Sequence, residues 1–341
     1  MRAVTSVDPC NHATGQSSQE LSPAVFVTGC PRSGTTLLQR MLNAHPLLAI
    51  SNDTHFIPRA LEKAGDDVEA AVAKHGDVPL TDELVRHARE YHRIYRLRLT
   101  ADQFDAAAAV ASTYRELVCG LYAAFAENEG KQLAGEKTPD YVRCLPLLHQ
   151  LFPWCKSIHI VRDGRDTAMS LREWARDERG PARFDLWAEN PQAVAALWWR
   201  WQVRHAIAAE ELLGPERHLT VVYERLITDA ESELQRISEF LGLPHSLQMA
   251  AFHRGKTRPN ANLSAKQAWL PATSGLRDWR NQMSEEQQQL FEALAGDALR
   301  GFGYETRFER VPAAIQSEAD ALREGWKVSL AKRHPADRID Q

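Results

Sequence analysis

The stretch Ala24-Val-Phe-Val-Thr-Gly-Cys-Pro-Arg-Ser-Gly-Thr-Thr-Leu-Leu-Gln-Arg-Met-Leu-Asn-Ala-His-Pro46 decides how the chain is read. Val25-Phe26-Val27-Thr28 is a short apolar, β-branched run closed by Gly29, the mark of a buried strand. Leu37, Leu38, Met41 and Leu42 then repeat at helical spacing. Between them, Gly29-Cys30-Pro31-Arg32-Ser33-Gly34-Thr35-Thr36 follows the spacing G-x-x-x-x-G-K-[ST] at every fixed place except one, where Thr35 stands for the lysine. Strand, glycine-bounded loop and helix together bring backbone N–H groups and a helix N-terminus onto one anion. An arginine, Arg32, lies inside this loop.

Two further strand ends gather chemistry. In an open parallel sheet, ligands collect beyond the carboxyl ends of the strands. The run Leu47–Ile50 empties into Ser51-Asn52-Asp53-Thr54-His55, which sets Asp53 and His55 at the same edge as the first loop. Ser157–Arg162 is another strand, followed by the turn Asp163–Asp166 and a helix from Thr167 to Ala175. With Asp166 as N-cap, Ser170 lies one turn into that helix and Arg162 at the strand end, a pair suited to a phosphate. The plainer reading is a surface ion pair from Arg162 to Asp163 or Asp166. Between these units, Pro139 keeps Glu136-Lys137-Thr138 out of a helix and predicts a loop at a strand end for Lys137.

Elsewhere the pattern predicts helices over 142–151, 193–213, 230–241 and 284–300, and a strand over Leu219–Tyr223. The tryptophans Trp198, Trp199 and Trp201 read as core. Residues 66–130 read as a helical insertion in which Leu84, Ala88, Tyr91 and Tyr95 share one face while Arg86, Arg89, Arg93 and Arg96 take others. Such a basic helix either lines an entrance or is a solvated face. Residues 176–192 read as a long loop suited to a lid, and 244–283 as cation-rich irregular chain. The expected organisation is a flexible leader over 1–22, one domain over 23–310, and a polar, peripheral tail over 311–341.

At 341 residues with 44% hydrophobic and 25% charged positions, the composition is that of a globular chain. The net charge of −4 gives no reason to expect a nucleic-acid polymer as partner. No apolar run is long enough for a bilayer span, and the N-terminal residues lack the apolar centre of a signal peptide. Five scattered cysteines, never C-x-x-C, argue against a disulfide framework or zinc site and suggest a cytoplasmic protein.

The loop first suggests phosphoryl transfer, whose charge is usually offset by a lysine and Mg²⁺. The lysine is missing, and Asp163, the acidic residue nearest a second metal-binding position, is preceded by Arg162. A sulfuryl group carries less charge, and a donor phosphorylated at both ends of a nucleoside would need two phosphate sites. Pro31–Leu38 resembles the 5′-phosphosulfate loop of sulfotransferases that use 3′-phosphoadenosine 5′-phosphosulfate (PAPS). Ile160–Ser170 resembles their 3′-phosphate site, with Arg162 and Ser170 in the binding positions, and the likeness extends over roughly residues 24–303. Within that family the chain looks most like the tyrosylprotein and heparan sulfate branches, and Ser51–Arg59 is similar to the tyrosylprotein one, with Asp53 at that branch's catalytic glutamate and His55 where it has an arginine. Ser264 matches a serine of a late catalytic loop, whose lysine is replaced by Leu270; Lys137 or Lys266 would substitute.

The resemblance implies an α/β fold: a single P-loop-type domain with a central parallel sheet flanked by helices, plus the insertion. It implies a PAPS-dependent enzyme that needs no metal and releases 3′-phosphoadenosine 5′-phosphate (PAP). Arg32, Ser33, Gly34, Thr35 and Thr36 would hold the 5′-phosphosulfate; Arg162 and Ser170 would hold the 3′-phosphate, with Tyr223, Ser264 and Lys266 beside the nucleotide. Asp53, or in second place His55, would take a proton from a hydroxyl or amine, with Lys137 nearby. The acceptor, whether small molecule, carbohydrate or peptide, and the oligomeric state stay open. So do two rivals, a P-loop kinase or NTPase and a non-catalytic nucleotide-binding protein.

Overall fold

The computed structural model describes residues 22–174, 180–254 and 277–332. Five parallel strands form one sheet: β1 (Val25–Gly29), β2 (Leu48–Asn52), β3 (Leu133–Lys137), β4 (Lys156–Val161) and β5 (His218–Val222). Their order is β2-β3-β1-β4-β5. The first strand therefore lies in the middle, with Val27 level with Lys137 on one side and Ile158 on the other. All five carboxyl ends open on one edge, and the chain changes direction across the sheet at β1, where such folds place their ligands. The α/β class and the central parallel sheet read from sequence are those observed.

The β1 residues Val25, Phe26 and Val27 are fully buried, as befits a strand covered on both faces. Helix α1 (Thr35–Asn43) follows the first loop and α2 (Phe56–Ala64) follows β2. The region 66–130 holds α3 (Asp66–His75), α4 (Asp82–Glu90), a 3-10 turn at Ile94–Leu97, α5 (Ala101–Val110) and α6 (Tyr114–Asn128). The helical spacing read through Tyr95 is broken: α4 stops at Glu90, Tyr91 turns extended at ψ 123°, and Tyr95 is exposed. Leu84 and Ala88 alone of that face are fully in the core.

Several boundaries differ from the sequence reading. Lys137 is the last residue of β3 rather than a loop residue, since its main chain still pairs with Asn52 and Val27. A 3-10 turn (Pro139–Cys144) and α7 (Leu145–Leu151) follow. Helix α8 (Gly164–Trp174) begins three residues earlier than expected. Its cap is Asp163, whose carbonyl accepts from the Thr167 N–H at 3.0 Å and whose Oδ1 accepts from the Arg165 N–H at 2.9 Å. Asp166 is therefore a first-turn residue, and Ser170 lies nearly two turns in.

The described part of 176–192 is not a long loop but packs on the core. It holds 3-10 turns at Gly180–Arg183 and Asp185–Trp187, and Phe184 is buried against Trp198 with ring centroids 5.7 Å apart. Helix α9 (Pro191–Leu213) carries Trp198, Trp199 and Trp201, all in the core. After β5 comes α10 (Tyr223–Thr228), where Tyr223 opens a helix instead of ending a strand, and then α11 (Ala230–Leu241), α12 (Trp279–Gln282) and α13 (Glu285–Gly301). The expected peripheral tail is instead α14 (Ala313–Ala331) over most of its length. Its buried Ile315, Ala319, Trp326 and Leu330 recur at helical spacing and cover the tryptophan-rich core, with Trp326 4.3 Å from the Phe184 ring centroid. At the other end, Ser22 is fully buried and its Oγ accepts from the Ala134 N–H, so the chain is tied to the sheet from there. Among the described residues, no helix is long and apolar enough to cross a membrane.

Candidate active site

The first loop is shaped by two glycines that cannot be replaced cheaply. A Cβ on Gly29 would come within 2.6 Å of the Ile160 carbonyl oxygen, where β1 runs beside β4. Gly34, the N-cap of α1, has φ 98°, and its Cβ would meet the Tyr223 ring at 2.5 Å. Between them Arg32 takes φ 79°. The N–H groups of Thr35 and Thr36 open α1 and have no intrahelical acceptor, which leaves them for an anion. Ser33 differs from the expectation: its N–H donates to the Cys30 carbonyl at 3.0 Å and so closes the turn. Its hydroxyl is fully buried without a hydrogen-bond partner.

The strand-turn-helix unit around Arg162 and Ser170 meets the first loop directly. Arg32 Nε donates to Ser170 Oγ at 3.0 Å, joining the β1 loop to α8. Arg162, just beyond β4, stacks on the Tyr223 ring at 4.6 Å and donates to Asp166 Oδ2 at 3.3 Å. The ion pair weighed from sequence is thus present, but its side chains are only 10% and 13% exposed, so it belongs to the interior. Burial, opposed by Arg162 and by the Trp279 N–H, raises the Asp166 carboxyl above its usual range. Arg32 is pushed the other way: burial, then Arg277 and Arg162, lower its pKa, with Glu173 opposing. Arg277 is held by Glu173, its NH1 donating to Oε1 at 2.6 Å. Arg277 belongs to the stretch 244–283 that reads from sequence only as cation-rich irregular chain; the fold makes it the third guanidinium of this corner. Buried Ser33 Oγ and Arg162 Nε, both without partners, and crowded guanidiniums fit a multiply charged anion. Tyr223 is the wall beneath it, packed against Gly34 and Arg162.

Across the sheet edge, the β2–α2 turn presents Asp53 and His55. The Asp53 N–H donates to the Lys137 carbonyl at 2.7 Å, the last bond of the β2–β3 ladder. Its side chain sits between two cations, with Lys137 Nζ 3.1 Å from Oδ1 and Arg96 NH1 3.6 Å from Oδ2. Lys137 is almost wholly buried, whereas the Asp53 side chain is 28% exposed. Arg96 comes from the helical insertion and also reaches the Asn52 carbonyl at 3.3 Å. Asp53 and His55 both have positive φ, 45° and 61°. Asp and His tolerate this region better than most residues, yet each still costs about 1–3 kcal/mol that the surroundings must offset.

His55 packs edge-on against Tyr141 with centroids 6.1 Å apart. Burial lowers its pKa to about 4; Asp140 and Asp53 oppose the shift, Arg93 and Arg59 add to it. The imidazole is thus neutral near pH 7 and a weaker base than an ordinary histidine. Asp140 accepts from Gln202 Nε2 at 2.9 Å and pairs with Arg143 at 3.4 Å. Burial alone would raise its carboxyl; Arg143, His55 and Arg183 outweigh that and hold it well below the usual range.

The structure therefore brings Arg32, Arg162 and Ser170 into one cluster with Tyr223 beneath, and Asp53 onto Lys137, with His55 two residues on. Ser264, Lys266 and Leu270 lie outside the described residues. Sequence reasoning placed Arg96 on a basic helix but missed its reach to Asp53, and it missed the role of Glu136, whose partners come from three segments.

Known proteins are similar to this chain. Protein-tyrosine sulfotransferase A of Caenorhabditis elegans is 28% identical over 65% of this chain and 50% of its own length. Nodulation protein NoeE of Sinorhizobium fredii is 26% identical over 91% of this chain and 74% of its own length. The chain spans about half the length of the protein-tyrosine sulfotransferases it matches, 50% in the nematode and 55% in Gallus gallus. A solved sulfotransferase domain from the curacin biosynthetic pathway aligns with 88% of this chain and 97% of its own at TM-score 0.49 and 19% identity. Residues 23–247, well over half the chain, match the profile of the Sulfotransferase family. The chain belongs to that family.

Proposed function

We propose that the protein moves the sulfuryl group of PAPS to a hydroxyl or amine of an acceptor by in-line transfer. The observation that carries this reading is the Arg32–Ser170 hydrogen bond, which joins the two resembling motifs side by side, within a chain of the Sulfotransferase family. When bound, the donor supplies a sulfuryl group activated by its phosphate leaving group. The protein's part is to hold charge and move one proton. Arg32 and the N–H groups of Thr35 and Thr36 face the 5′ end; Arg162 and Ser170 face the 3′-phosphate. Asp53 accepts the acceptor's proton, and Lys137 keeps that carboxylate oriented. A positioned base of this kind contributes about 10²–10⁴-fold.

Lys137 also offers the cation that the family lysine, replaced by Leu270, would have provided, because it is already at the base. The relatives' names put a peptide tyrosine first among acceptors to be tried, followed by sugars, phenols and amines. The described cysteines are free, with Cys30 and Cys155 buried, consistent with a reducing compartment such as the cytoplasm, which we propose as its location.

The test is transfer of radiolabelled sulfate from PAPS across such a panel, with and without EDTA, beside an ATP-turnover assay. Labelled product that persists in EDTA is expected. ATP turnover dependent on Mg²⁺, with no labelled product, would replace the reading by the kinase one; PAP binding without any transfer would leave a non-catalytic nucleotide-binding protein.

A further inference from the structure

Glu136 is fully buried in β3, and five donors converge on its carboxylate. Oε1 accepts from the Thr54 N–H at 2.9 Å, the Thr54 hydroxyl at 2.5 Å and the His55 N–H at 3.2 Å. The Thr138 hydroxyl also donates to Oε1, and the Tyr122 hydroxyl, from α6, donates to Oε2. All five donors are uncharged. A carboxylate removed from water is costly unless hydrogen bonds replace the solvent, and an apolar pair would join these elements with less penalty. What Glu136 supplies that an apolar residue cannot is acceptors at a strand end.

The β2–β3 ladder ends at the Asp53 N–H. The next two N–H groups, of Thr54 and His55, would have no strand to bond. The Glu136 side chain takes both, continuing the ladder for two residues beyond the main chain. These are the residues that turn the backbone so that Asp53 and His55 have positive φ on either side of Thr54. Tyr122 and Thr138 in turn hold the carboxylate from α6 and from the end of β3.

We infer that Glu136 is a positioning residue of the transfer reaction: it clamps Thr54 and His55, and through them keeps Asp53 seated on Lys137. The inference rests on Asp53 being the proton acceptor of the proposed sulfuryl transfer. Glu136 touches no reacting atom. Its effect reaches the chemistry through the placement of the Asp53 carboxylate, where a displacement on the order of 1 Å costs about 100-fold in rate.

Three variants of the full chain test it: Glu136→Gln, Thr54→Val, which removes one donor, and Thr54→Ser, which retains it. Each is followed by PAP binding, by turnover of labelled PAPS, and by NMR titration of the His55 imidazole. That ring is depressed to about 4 from an ordinary 6.5 by burial, modulated by Asp140, Asp53, Arg93 and Arg59 around it. Expected for Glu136→Gln and Thr54→Val is a kcat lowered about 10–100-fold, PAP affinity within about twofold, and a His55 titration moved upward as the turn loosens; Thr54→Ser restores the wild-type values.

A folded Glu136→Gln protein with wild-type kcat and wild-type His55 titration overturns the inference. Should Glu136→Gln fail to fold, the Thr54 pair decides by the same criteria. Should the wild type bind PAP but transfer nothing, the sulfuryl-transfer reading fails by itself. The His55 titration then decides the clamp: a shift in Glu136→Gln supports it, an unchanged titration overturns it.

Discussion

Two turns at the same sheet edge solve the same geometric problem differently. The turn after β1 relies mainly on glycine: Gly29 lies against a neighbouring carbonyl and Gly34 adopts φ 98° under the Tyr223 ring, with Arg32 at φ 79° the one side-chain-bearing residue there at positive φ. The turn after β2 uses no glycine. It places positive φ on Asp53 and His55 and ties the strained backbone to a buried glutamate. The difference follows from what each turn must present. The first mostly offers main-chain N–H groups, so a residue without a side chain serves it best. The second must offer a carboxylate, so the strain of a side-chain-bearing residue is retained and offset by hydrogen bonds.

The largest effect that would separate the two is at Asp53. Asp53→Asn keeps the side-chain shape and an oxygen for Lys137 but removes the base. Turnover should fall by about 10²–10⁴-fold while PAP affinity is unchanged, as read by steady-state kinetics and calorimetry. Retained turnover would remove Asp53 from the mechanism. Gly34→Val should do the reverse. Its Cβ cannot stand 2.5 Å from Tyr223 at φ 98°, and the strain with overpacking, about 2–4 kcal/mol, should weaken PAP binding about 100-fold. A variant that binds PAP normally would show that the loop does not form the anion site.

The smallest effect concerns acid. His55 belongs to the second turn, and its folded-state pKa of about 4 lies below the ordinary 6.5. The unfolded chain therefore binds the proton first as pH falls. The stability that the neutral ring allows is complete above about pH 6.5 and is lost on descending toward 4, at up to about 1.4 kcal/mol per unit. His149 (about 3), His159 (about 3) and His218 (about 4) are lowered mainly by burial and add to the same trend. Denaturant midpoints measured from pH 7 to 4.5 should fall, and His55→Gln should make the slope shallower. An identical slope would place the acid sensitivity in the other histidines alone.

What was legible in sequence follows the same division. The first turn is local: two glycines, an arginine and two threonines within eight residues carry their own geometry. Arg162 and Ser170 were legible because strand, turn and helix again fall in one short segment, although the helix cap proved to be Asp163. The second turn was legible only in its candidate groups, Asp53 and His55. Its support comes from residues 122, 136 and 138, and its second cation from residue 96, and no local pattern links positions so far apart. The final helix is another matter. Ile315, Ala319, Trp326 and Leu330 stand at helical spacing in a segment whose polar composition hid it, so composition misled where periodicity would have served.

The insertion leaves the sheet after β2 and returns at β3, on the flank away from β4 and β5. It touches Asp53, the proposed base, through Arg96, while Arg32 and Arg162, proposed to face the nucleotide, follow β1 and β4. The chain is thus divided like a tool with a fixed handle and an exchangeable head. Exchanging the outer helices α3 and α5 for a different appendage, with the Asp53–His55 turn, Arg96 and Tyr122 retained, offers a route to new acceptors that leaves the proposed donor grip intact.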